Sequence, residues 1–225
     1  MHPALREISP RILANAVGAL TRANTDAVYS DPGMEHRDDI CILSSALAGE
    51  LFLKAIIAAE HPLLIFRDLF HLDQPANSHF DVEEIVRSGR TYGFEHLPRL
   101  LWVATGERIS DPANYEAVRS ARNSVQHFCS PGDISLRKLS LKFIYKNVDP
   151  LVHKHFGICA IEYHEDIHVS YDYVVSCLIA HELEFSIPPA FRVTEIDLEE
   201  CLARASRGYR QGFGAQLLAA AEGND

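Results

Sequence analysis

Apolar residues return every three or four positions along most of the chain, and strand-like alternation bounded by hairpin turns is nearly absent. The first such stretch predicts a helix over about residues 8–27, and "SDPG" then breaks the chain. The second stretch, about 37–60, contains "ICILSSALAGELFLKAIIAAE" and is apolar on nearly every side. A helix of that kind belongs at the centre of a bundle, and Pro62 ends it. Next comes a loop-rich segment with a short helix at about 82–87. Further helices are expected from Phe94 to Gly106, from a cap at Ser110 or Asp111 to "SPGD", and over about 134–149, with "PLVHKHFGICAIEY" after the last. A helix over about 168–184 should stop before "SIPPAF", and the tail reads as one further helix weakened by glycine towards its end. The expected fold is all-α, a bundle of about five or six main helices. It divides into a helical domain over 1–188 and a C-terminal helical extension over 189–225.

Composition narrows this picture only a little. With 225 residues, 47% of them hydrophobic, the chain can bury a sizeable core. A formal net charge of -10 disfavours broad attraction to nucleic acid or anionic lipid, although 21 Lys and Arg can still gather in one cleft. The five cysteines are scattered, odd in number and form no CxxC pair, which suits reduced thiols. No basic flank leads into an apolar signal core, and the apolar runs read as too short or too interrupted to span a bilayer. These features predict a cytoplasmic protein without a membrane partner.

One helix carries an unusual polar set, "EAVRSARNSVQHF". At about 100° per residue, Tyr115, Val118, Ala121, Val125 and Phe128 form the expected core stripe. Arg119, Asn123 and His127 stand at i, i+4, i+8 on the other side, with Arg122 and Gln126 as a second row beside them. Guanidinium forks match phosphate oxygens, and imidazole moves protons near neutral pH. The patch could therefore handle a phosphodiester without a metal or cofactor, or it could be a solvated helix face. On the second helix, Glu50 and Lys54 stand at i, i+4 in the favourable order for an ion pair. They read either as two partly buried charges that satisfy each other or as supports that orient Arg122 and line a cleft.

"RNSVQH" resembles the R-x4–6-H motif of the HEPN superfamily, with Arg122, Asn123 and His127 in the three motif positions. "ALAGELFLKAIIAAE" resembles the family's early helix, and "YGFEHLPRLL" the segment before the motif helix. The resemblance spans roughly residues 10–150. It implies a metal-independent endoribonuclease of the toxin–antitoxin or antiviral kind. The site would form at a homodimer interface, and an antitoxin or defence protein could be a partner. It further implies that a ribose 2′-hydroxyl attacks phosphorus, with His127 as general acid or base, Arg122 stabilising the phosphoryl charge and Asn123 positioning. Arg119, Gln126, Glu50 and Lys54 would assist. The acidic net charge implies a selective RNA. A catalytically silent nucleotide- or protein-binding module is the alternative.

"HEDIH" also spells H-E-x-x-H, in which His164 and His168 would share a helix face for zinc and Glu165 would be the base. The chain has no G-x-x-H continuation, and His168 reads as the start of a helix, so surface histidines at a helix junction are expected instead.

Overall fold

The computed structural model describes residues 3–29, 36–68, 82–132, 134–164 and 171–223. Helix α1 covers Ile8–Val28 and α2 covers His36–Glu60, both within a residue of the expected bounds. α2 is the hub: it packs on α1, α4 (Leu97–Thr105), α5 (Pro112–His127) and α6 (Leu136–Phe143). Cys41, Ile42, Ala46, Phe52, Ile56 and Ile57 on α2 are all nearly inaccessible to solvent. Being surrounded explains why α2 needs apolar residues on nearly every side. The same composition makes α2 long and apolar enough to cross a membrane by length and hydropathy alone, contrary to the expectation that every apolar run falls short. In the fold its most apolar window is 67% buried against the neighbouring helices.

The remaining elements are short. β1 (Phe66–Asp68) and β2 (Arg90–Thr91) form a two-stranded antiparallel ribbon, with α3 (Val82–Ser88) between them in sequence. A 3₁₀ turn at Phe94–His96 leads into α4, which ends on Gly106 at φ 78°, a left-handed cap that favours glycine. The all-α class stands.

Three expected boundaries move. The helix expected to stop near residue 149 continues through a π-helical turn at Ile144–Val148 into α7 (Asp149–Phe156). Pro150 has no N–H to donate, and the wider turn before it admits its ring without ending the rod. The tail is not one helix. α9 (Leu198–Ala203) ends, and Ser206 caps a new rod made of α10 (Arg207–Tyr209), a π turn and α11 (Ala215–Glu222). The helix expected over about 168–184 is seen as α8 (Asp172–Ala180), so its end comes about four residues early; residues 165–170 lie outside the described residues. Leu198, Leu202, Phe213 and Leu217 of the tail join the main hydrophobic core, and Phe213 meets Phe185 edge-on at 4.9 Å.

Buried polar groups fasten the rods together. Asn24 of α1 donates to the carbonyls of Ala160 and Tyr163, both at 2.8 Å, and accepts from the Tyr145 hydroxyl at 3.1 Å. The Asp149 carboxylate is fully buried and accepts the backbone N–H groups of Ala160 and Ser186. Arg137 donates to the carbonyls of Ala27 and Val28, closing the C-terminal end of α1.

Below the α2–α5 contact lies an aromatic cluster of Phe94, Tyr115 and Phe143, with ring centroids 4.3–6.0 Å apart. Gly49 allows α2 to approach it: a Cβ there would stand 2.4 Å from the Phe143 ring. Gly49→Ala should therefore lower unfolding stability by about 1–2 kcal/mol, because the overpacking outweighs the gain in helix propensity. Urea titration checks this, and a stabilised variant would contradict the packing account.

Candidate functional site

The site is built on α5, and the start of α5 is fixed by its cap. Asp111 accepts the N–H of Asn114 at 2.9 Å and pairs with Lys142 at 2.8 Å. The neighbouring Lys142, and then the Asn114 N–H, hold the Asp111 carboxyl below the usual range. Asn147 of the π turn donates to the Asp111 carbonyl and to Asn114 Oδ1, and its own Oδ1 accepts the Asp111 N–H. Residue pattern left Ser110 and Asp111 as alternative caps; the hydrogen bond selects Asp111.

Along α5, Tyr115, Val118 and Ala121 are buried and Val125 is partly buried, as the core stripe predicts. Phe128 is not part of that stripe: it is 91% exposed. The helix ends at His127, and the chain leaves at Phe128 with φ -146° and ψ -82°, so helical phase no longer sets its direction.

Arg122 lies at the margin between the buried and exposed faces, its side chain 22% exposed. Its Nη1 donates to Glu50 Oε2 at 2.8 Å, while Lys54 Nζ donates to the other oxygen, Glu50 Oε1, at 2.8 Å. Lys54 also donates to Thr91 Oγ1 at 3.0 Å, and the Arg122 guanidinium carbon stands 5.9 Å from the centroid of the Phe94 ring. One carboxylate thus draws residues of α2 and α5 together and reaches β2 through Lys54. Glu50 and Lys54 do satisfy each other, and Glu50 also accepts from Arg122. A guanidinium carries five N–H donors, so most of those on Arg122 remain for an anion.

Asn123, Gln126 and His127 are exposed on the last two turns. Arg119 is held by Glu116 through both carboxylate oxygens, a pair three residues apart whose spacing was legible in the sequence. Thr91 and Phe94 complete the arrangement around Arg122 without any warning in the sequence, because both arrive from segments remote along the chain. At the far end of the contact Ser130 donates to Asp39. With Glu50–Arg122, this makes α2 and the end of α5 antiparallel neighbours.

His164 of "HEDIH" is buried rather than on the surface as expected, and its Nδ1 has no partner among the described residues. Glu165 and His168 lie outside the described residues. Among the described residues, no group of three or more His, Cys, Asp or Glu side chains is arranged to hold a metal. No family model, curated protein or solved structure matches this chain.

The cap and the shared carboxylate can each be tested through stability. Asp111→Ala should cost about 1 kcal/mol above about pH 4, the ordinary Asp range. Because the folded-state pKa is depressed, this difference is full above that range and disappears as pH falls through the folded pKa. Melting curves of both proteins across acid pH check it. Glu50→Gln leaves the buried Lys54 without its counter-charge and should cost about 2–3 kcal/mol. Arg122→Ala leaves the Glu50–Lys54 pair intact and should cost about 1 kcal/mol. Equal losses would contradict the central role of Glu50.

Proposed function

We propose that this protein is a metal-independent endoribonuclease of the HEPN type. The observation that carries the proposal is the Glu50-oriented Arg122, followed directly by an exposed Asn123 and, between one and two turns further along the same helix, by an exposed His127. That combination is more than a solvated face: a free surface arginine has no buried carboxylate to fix it. In the proposed reaction the 2′-hydroxyl gives its proton to a base and its oxygen attacks phosphorus. The bond to the 5′-oxygen breaks, and that oxygen receives a proton from the acid. The products are a 2′,3′-cyclic phosphate and a 5′-hydroxyl. His127 acts in one or other proton transfer, Arg122 stabilises the charge on the phosphoryl oxygens, and Asn123 positions the phosphate or the imidazole.

Within one chain neither Asn123 nor His127 has a hydrogen-bond partner among the described residues. A second copy would supply the missing half of the cleft. Ile40 and Leu47 favour such a dimer: they are 42% and 45% exposed and stand seven residues apart on one side of α2, and Phe128 at the end of α5 is 91% exposed. Two patches facing each other would also gather positive charge locally in an acidic protein, which suits a selective RNA. The toxin or defence context and an antitoxin partner belong to the same proposal.

The test is cleavage of a panel of structured and single-stranded RNAs in EDTA. We expect cyclic-phosphate ends, no cutting where the scissile nucleotide lacks its 2′-hydroxyl, and a loss of about 100-fold or more in His127→Ala and Arg122→Ala. A dimer in solution accompanies activity. If His127→Ala cuts as well as the parent, or if no RNA is cut, the nuclease reading fails and a silent binding module replaces it.

A further inference from the structure

A second feature sits on α5 two turns before the motif. Between α4, the 106–111 loop and the start of α5 lies an open cavity of about 480 Å³, within the range of small-molecule sites. Its wall carries Trp102, the single tryptophan of the chain, which is 53% exposed although the helix it belongs to packs on the core. Pro98, Ile109 and Tyr115 add apolar surface. Tyr115 is held rigidly, its hydroxyl donating to the Phe94 carbonyl at 2.7 Å.

The charges around this surface are what select a ligand. Arg99 and Arg108 line the cavity, and both are exposed without a carboxylate partner among the described residues. Arg119, the partly exposed arginine one turn further along α5, is by contrast paired with Glu116. Glu95 stands on the same wall and offers only acceptor oxygens. Of the two carboxylates of the lining, Glu116 is taken by Arg119 and Glu95 faces the cavity without an arginine or lysine partner among the described residues. An indole face, the Arg99 and Arg108 guanidinium groups and the Glu95 carboxylate match a nucleotide: the ring stacks a base, the arginines take phosphate, and the carboxylate accepts N–H from the base edge. Guanine presents more N–H donors on that edge than uracil does.

Helix geometry links this cavity to the motif. Pro112 and Glu116 line the cavity, and Arg119, Asn123 and His127 continue the same strip at three- and four-residue steps. From Glu116 to His127 the rise is about 16 Å, a distance a single strand covers in a few nucleotides.

We propose that this cavity is a base-binding subsite for single-stranded RNA, preferring guanine, at the N-terminal end of the strip that leads to Arg122 and His127. The polymer's identity rests on the ribonuclease reading; the stacking and phosphate contacts do not. Trp102 itself is the probe, being the only indole in the protein. Titration of guanosine 5′-monophosphate into the full-length protein should quench its fluorescence saturably, with uridine 5′-monophosphate binding more weakly. Arg99→Ala/Arg108→Ala should weaken guanylate binding about tenfold or more, as phosphate-fork contacts do. Trp102→Ala, measured by calorimetry, should weaken it by a similar factor. His127→Ala should leave binding unchanged, so loss of cutting and loss of base binding are separately readable. Circular dichroism melts confirm that the variants fold. The proposal is overturned by the absence of saturable quenching at millimolar nucleotide, by equal affinity for guanylate and uridylate, by a double-arginine variant that binds as the parent does, or by an acidic peptide that quenches where nucleotides do not.

Discussion

The Glu50 carboxylate, only 14% exposed, is shared between two cations that come to it from different directions. Lys54 reaches it from the next turn of α2 and Arg122 from α5. A carboxylate removed this far from water is costly unless its oxygens are occupied, and here each oxygen has its own donor. The requirement acts in both directions. α2 cannot bury its apolar faces without a partner for these charges, and α5 cannot settle its register without delivering Arg122. The net gain in stability from such an arrangement is small. The larger effect is on specificity, since any slip of α5 along α2 strands a charge.

The aromatic cluster is the apolar counterpart of the same contact. Phe143 fills the notch that Gly49 leaves, and Phe94 lies between the cluster and the Arg122 guanidinium. One helix pair therefore sets both the core packing and the height at which Arg122 meets solvent. Asn123 and His127 are exposed on a helix that ends at His127 with Phe128 turned outward, while Ser130 just beyond it donates to Asp39. The Arg122 guanidinium is thus held in place while the amide and imidazole beyond it face solvent.

The cavity above the start of α5 has the opposite character. Its apolar surface is firm, because Tyr115 and α4 are anchored in the core, while Arg99 and Arg108 have no carboxylate partner among the described residues. Helix α5 thus has an aromatic surface beside its first turns and the Glu50-paired Arg122 nearer its end.

Much of this was legible in residue order alone. The period of the apolar residues marked the all-α class, the bounds of α1 and α2, the central position of α2 and the buried side of α5 up to Val125, because burial on a helix face keeps to a fixed angle per residue. Glu50–Lys54 was legible for the same reason, both residues being on one helix. Local pattern failed where partners come from afar or where regular geometry stops. Phe128 has the phase of a core residue but lies beyond the last helical one. Pro150 reads as a boundary but is absorbed by a π turn. The pairing of Arg122 with Glu50 joins residues 72 positions apart, and the Trp102 cavity exists only where α4 crosses the start of α5. Sequence determined which polar side chains lie on which helices, because helical phase is local; only the packing of those helices decided which of them share one charge and which are left facing solvent.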